Sequence, residues 1–96
     1  MKQKYTVLQE SINGETGVIY WVHEFEQFKT FNEAMLCADH NALIILQGQE
    51  YSVSQITGDR VVLISNDRIN PVMKVFKVVT VDQAKNDLED WKNSYK

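Results

Sequence analysis

Cysteine, proline and glycine are all scarce in this chain of 96 residues, which contains one Cys, one Pro and four Gly. A single Cys excludes an intramolecular disulfide. Cys37, His40 and His23 are too few Cys and His side chains for a structural zinc site, which needs four ligands. Four Gly spread over three turns leave no Gly-rich loop for a phosphate. We therefore expect neither a metal nor a cofactor.

Long apolar runs and a large excess of one charge are also missing. The longest apolar runs cover residues 18–22 and 43–46, far short of the roughly 20 residues of a membrane-spanning helix. The first residues lack the apolar region of a signal peptide. The net charge of −3 comes without the basic footprint that is typical of nucleic-acid binders. These features favour a soluble cytoplasmic protein.

No arrangement of residues indicates an enzyme. The sequence contains no Gly-x-Ser-x-Gly and no His-Glu-x-x-His motif. Cys37 and His40 are one helical turn apart, which is a poor geometry for proton abstraction from a thiol. Catalysis would require the fold to bring His23, His40 and Cys37 together. We expect no catalytic residues.

The first half of the chain predicts a hairpin and a helix. Residues 5–12 and 18–25 have the composition of strands, and Asn13-Gly14 followed by Gly17 is typical of the turn between them. The first five residues of the second strand are apolar on both faces, which predicts a position near the middle of a sheet. Thr30 and Glu33 form a capping box, so we expect a helix that ends near Asn41.

The second half predicts further strands and a second helix. Residues 43–46, 50–56, 61–64 and 72–79 are candidate strands, and Thr80 caps a helix with the apolar stripe Val81, Ala84, Leu88, Trp91 and Tyr95. The fold class is α+β, with a mostly antiparallel sheet of about five or six strands and two helices on one face. The predicted order is ββα-ββ(β)βα. We expect a single domain over residues 1–96.

The two halves of the chain resemble each other. Residues 5–9 match residues 51–55 at an offset of 46, and both predicted helices follow a strand through a capping Thr. An internal duplication with half-repeats 4–42 and 43–96 explains the match. The alternative is that any hairpin followed by a capped helix shares these features. Two copies also provide too little periodicity to test for a repeat.

The segment of residues 28–34, Phe-Lys-Thr-Phe-Asn-Glu-Ala, resembles the strand-to-helix junction of small three-stranded DNA-binding modules, such as the arm-binding domains of phage-type integrases. The resemblance implies a sheet that carries Arg and Lys towards DNA, whereas the strand before this junction carries Glu24 and Glu26. The alternative function is a small nucleic-acid-binding module, which would have to use basic residues found elsewhere in the chain. The candidates are Arg60, Arg68, Lys74 and Lys77.

The second predicted strand carries large side chains on both of its faces. Trp21, His23 and Phe25 alternate with Tyr20, Val22 and Glu24. Only one face can meet the helices, and exposed aromatic residues beside acids are typical of a protein interface. The alternative is that the sheet is covered on both faces or pairs in a homodimer. The candidate protein-binding residues are Glu10, Glu15, Tyr20, Trp21, His23, Glu24, Phe25 and Glu26.

The acidic first half suggests what the partner is. Residues 1–50 carry seven acidic and three basic residues, so Glu10, Glu15, Glu24 and Glu26 would suit a partner with a basic surface. Our hypothesis is a non-enzymatic protein-binding or regulatory module. A small phage or mobile-element protein that inhibits a host nuclease or defence complex fits this description.

Overall fold

A computed structural model describes residues 4–94 and shows one antiparallel sheet with two helices. The strands are β1 (Tyr5–Asn13), β2 (Ile19–Glu24), β3 (Tyr51–Ile56), β4 (Arg60–Ser65) and β5 (Val72–Thr80). The helices are α1 (Phe31–Gln47) and α2 (Val81–Ser94). The strand order across the sheet is β2-β1-β5-β4-β3. The predicted α+β class is confirmed, with five strands and the element order ββαβββα.

The hairpin between β1 and β2 forms as its turn residues predict. The side-chain oxygen of Asn13 accepts hydrogen bonds from the backbone N–H groups of Glu15 and Thr16, at 2.9 and 3.2 Å. Gly17 has a φ of 76°, which a residue without Cβ adopts at little cost. The turn returns the chain antiparallel to β1, which holds β2 against it.

Both helices begin at the predicted capping threonines. The hydroxyl of Thr30 accepts a hydrogen bond from the backbone N–H of Glu33 at 3.2 Å, and that of Thr80 accepts one from Gln83 at 3.1 Å. Each bond satisfies a backbone donor that the first helical turn leaves without a partner.

The predicted strand at residues 43–46 is wrong, because α1 continues through it to Gln47. Asn41 does not stop the helix: its side chain donates to the carbonyl of Cys37 one turn back, at 2.8 Å. Ala34, Ala38 and Ala42 are all buried, so the apolar stripe continues past Asn41 at helical spacing. The chain reverses at Gln49, whose φ is 63°.

α1 covers one face of the sheet. Its three buried alanines pack in one core cluster with side chains of three strands beneath it, β1, β4 and β5, namely Val7, Val61, Leu63, Phe76 and Val78. Small alanine side chains let the helix approach the sheet closely, so the larger strand residues fill the core. Phe76, the largest fully buried side chain, lies at its centre.

The prediction that both helices lie on one face is wrong, because α2 packs on the opposite face. Side chains alternate along β5, so Lys77 points away from the core that holds Phe76 and Val78. Lys77 forms an ion pair with Asp87 of α2 at 3.4 Å. Ala84 of α2 is fully buried outside the α1 cluster. The central strands carry apolar side chains on both faces, so each face is covered by its own helix.

The predicted central position of the second strand is also wrong, because β2 is an edge strand. Its apolar residues are partly exposed rather than enclosed, and Val18, which precedes the strand, is 52% exposed. The centre of the sheet is instead formed by β1 and β5, which are far apart in sequence.

Two further predictions concern the half-repeats and Tyr95. The proposed boundary between half-repeats, at residues 42 and 43, lies inside α1, and the matching segments occupy a central strand, β1, and an edge strand, β3. Tyr95 lies outside the described residues. Within residues 4–94, no helix is long and apolar enough to cross a membrane.

Candidate functional site

Three aromatic rings form a continuous row along β2, which we call the aromatic row: Trp21, His23 and Phe25. Trp21 and His23 stack with centroids 5.8 Å apart, and His23 meets Phe25 edge-to-face at 4.7 Å. Phe25 joins the row to the core through Phe76, at 6.4 Å. The row therefore lies on the α1 face of the sheet.

Trp21 and His23 of the aromatic row remain at the surface because α1 does not extend over β2, whereas Phe25 packs against the core. Within the described chain, α1 packs against β1, β3, β4 and β5 but not against β2. Trp21 is 43% exposed, and His23 is exposed. Exposed aromatic side chains that are fixed in a row provide a large apolar contact area at a low cost in conformational entropy.

A bulge in β2 adds Tyr20 to this surface. The pairing runs from Ser11 with Trp21 to Ile12 with Ile19, so Tyr20 is the extra residue of β2. Its side chain is 49% exposed. Burial raises the pKa of Tyr51, and the negative charges of the Tyr20 phenolate and of Glu50 raise it further.

The predicted acidic residues separate into two groups. Glu24 and Glu26 are exposed at the end of β2, and Glu15 is exposed in the hairpin turn. Burial raises the pKa of the Cys37 thiol on α1, the nearby charge of Glu26 raises it further, and a hydrogen bond from Asn41 lowers it. Glu10, by contrast, is only 8% exposed and belongs to the opposite face.

Glu10 belongs to a cluster of charges beneath α2. Lys77 lies 3.4 Å from a carboxylate oxygen of Glu10 and 3.4 Å from one of Asp87. This cluster borders a cleft of about 520 Å³ between α2 and the β1–β2 hairpin. The indole N–H of Trp91 donates to the carbonyl of Ile19 at 2.8 Å and closes one side of the cleft. The two ion pairs of Lys77 thus connect α2 to strands β1 and β5.

The four basic residues of the alternative function do not share one surface. Lys74 and Lys77 are three residues apart on β5 and therefore point to opposite faces. The side chain of Arg60 lies 3.3 Å from Asp59, and this contact lowers the pKa of Asp59 together with a hydrogen bond from Thr57. Arg68 is exposed in the loop between β4 and β5.

Potential nucleophiles and metal ligands are dispersed. The ring of His23 contacts Trp21 and Phe25, whereas His40 is exposed on the outer side of α1. Cys37 is half-buried beside Asn41. Among residues 4–94, no group of three or more His, Cys, Asp and Glu side chains could hold a metal ion.

Lys74 has surroundings that the sequence did not indicate. It is half-buried, and its ammonium donates to the hydroxyl of Ser11 at 3.1 Å. The same ammonium lies 5.7 Å from the ring centroid of Tyr51, within the range of a cation–π interaction. Burial lowers the pKa of Lys74. Ser11 and Lys74 are 63 positions apart, so no local pattern could have predicted the contact.

No protein-family model, curated protein or solved structure matches this chain. The function must therefore be inferred from the geometry and charge of its surfaces.

Proposed function

We propose that this protein is a non-enzymatic protein-binding module that docks an extended, basic segment of its partner along β2. The observation that carries the proposal is the aromatic row on an edge strand. Within the described chain, β2 pairs only with β1. Apart from the carbonyl of Ile19, which accepts from Trp91, its outer side offers backbone groups to a further strand. The aromatic row lies beside that open side.

The charges around β2 support a basic segment. Glu24 and Glu26 are exposed at one end of the strand, and Glu15 is exposed at the other. Stacked aromatic rings also attract Lys and Arg through cation–π interactions. Strand addition would provide affinity through backbone hydrogen bonds, while the acids and the aromatic row would provide specificity.

We further propose that the module acts in the cytoplasm by occupying a basic surface that its partner needs. A small phage or mobile-element inhibitor of a host nuclease or defence complex would act in this way. The geometry favours this function over nucleic-acid binding, because Arg60, Arg68, Lys74 and Lys77 do not face one side. A salt-dependent gel shift with DNA or RNA at low ionic strength would support the alternative instead.

Affinity capture from an extract of the source organism tests the proposal. The bait carries Glu24→Lys and Glu26→Lys, and the matched control carries Asp82→Lys and Glu89→Lys, which reverse two exposed acids of α2. We expect the β2 variant to lose the proteins that the wild type captures and the α2 variant to keep them. Equal capture by both variants would contradict docking at β2.

The oligomeric state separates a foreign partner from a second copy of this chain. Light scattering at micromolar concentrations should show a monomer, because the proposal requires that the edge of β2 is not occupied by a second copy of the chain. A dimer that Trp21→Ala converts to a monomer would instead show that the aromatic row is used between two copies.

A further inference from the structure

Among the described residues, Lys74 on the α1 face of the sheet has no carboxylate partner. Within residues 4–94, ion pairs involve Lys77 and Arg60 but not Lys74. Lys77 on the other face provides the contrast, because it has two carboxylate oxygens at 3.4 Å. Both side chains are shielded from water on the same strand. Only one of the two charges is neutralised by the fold.

The polar contacts of Lys74 leave room for an anion. One hydrogen bond goes to the Ser11 hydroxyl at 3.1 Å, whereas an ammonium has three N–H donors. The Tyr51 ring on the other side, 5.7 Å from the nitrogen, favours the cation but accepts no conventional hydrogen bond. A half-buried ammonium held in this way is positioned to donate to a negatively charged group.

Trp21 lies on the far side of Ser11 from this ammonium. The pairing of strands places Trp21, Ser11 and Lys74 in one row across the sheet. Strands are spaced by about 4.8 Å, so the backbones of Trp21 and Lys74 are about 10 Å apart, with the small Ser11 between them. Trp21 and Tyr20 are both exposed. A ligand at Lys74 that extends across Ser11 would therefore reach the exposed Trp21 on the β2 side.

We infer that Lys74, with Ser11, Tyr51 and Trp21 around it, forms a binding site for an oxyanion, either a carboxylate or a phosphate. Lysine binds such groups as a compact point charge, and partial burial strengthens the interaction relative to water. The site lies on the α1 face of the sheet and does not use the backbone edge of β2. It therefore goes beyond the proposed function, and either can fail without the other.

Nuclear magnetic resonance titration of the full chain tests this site. Sodium acetate represents the carboxylate and inorganic phosphate the phosphate, each added at constant ionic strength maintained with sodium chloride. The Cε–Hε resonances of Lys74 and the indole resonance of Trp21 should shift and saturate with at least one of the two anions. The anion that saturates these shifts identifies the class of ligand.

Matched variants assign the binding to Lys74. Lys74→Met keeps the aliphatic stem and should weaken binding at least about tenfold, the loss expected for a charge-assisted hydrogen bond. Lys74→Arg should bind, and Lys85→Met, which removes an exposed lysine of α2, should bind like the wild type. Should Lys74→Met fail to fold, Lys74→Gln replaces it. Shifts that do not saturate, or that persist in the neutral variant, would overturn the site.

Discussion

The ion cluster beneath α2 yields a quantitative prediction for Lys77→Met. Lys77 lies between two carboxylates, and the side chains of Lys77, Glu10 and Asp87 are 16%, 11% and 27% exposed. Methionine retains the aliphatic stem but leaves the carboxylate of Glu10 shielded from water without a counter-charge. The variant therefore isolates the loss of charge from a loss of packing.

The expected cost lies between two known limits. Removing one member of a fully buried ion pair costs about 3–5 kcal/mol, whereas an exposed pair contributes about 0–1 kcal/mol. The low but finite exposure of the three side chains places Lys77→Met at about 2 kcal/mol. For a domain of this size, that loss corresponds to a decrease in Tm of about 10 °C.

Urea denaturation followed by circular dichroism measures this loss. Lys85→Met is the matched control, because Lys85 is exposed on α2 and should change the free energy of unfolding by less than about 0.5 kcal/mol. Adding Glu10→Gln to Lys77→Met should recover about 1 kcal/mol, since the neutral amide needs no counter-charge. A loss in Lys77→Met no larger than in Lys85→Met would refute the role of the cluster.

Three smaller perturbations test the turn, the cap and the thiol. Gly14→Ala should lower the free energy of unfolding by about 1–3 kcal/mol, because a Cβ would lie 2.8 Å from the Cβ of Pro71, whereas Gly58→Ala has open space and should be nearly neutral in the same urea assay. Thr30→Ala should cost about 1 kcal/mol through the lost cap, and an unchanged urea midpoint would count against the cap. Cys37 should react with iodoacetamide at pH 8 more slowly in the native protein than in urea, because its raised pKa reduces the thiolate fraction, and equal rates would contradict its burial.

Local signals predicted most of the secondary structure. The turn at Asn13 and Gly17 and the caps at Thr30 and Thr80 involve residues at most four positions apart, so their chemistry is visible in the sequence. The apolar run at residues 43–46 was misassigned because four consecutive apolar residues fit a strand and a helix equally well. The helix continues through this run because Ala42 packs on a core that is assembled from distant strands, which the local sequence does not reveal.

The order of the strands in the sheet could not be predicted from local signals in the same way. The apolar residues of β2 predicted a central strand, but the pairing of β1 with β5 assigns β2 to an edge. The positions of Glu10 and Lys74 follow from that pairing: one lies beneath α2 beside Lys77, and the other lies next to Ser11. The sequence predicted that Trp21, His23 and Phe25 share one face, because alternation along one strand is a local property.

Hydrogen–deuterium exchange of the captured complex tests docking along β2. Binding should slow exchange of the outward-facing amides of β2, while the other edge strand, β3, exchanges as it does in the free protein. Protection of β3 or of the outer side of α1, with β2 unchanged, would contradict docking along the aromatic row.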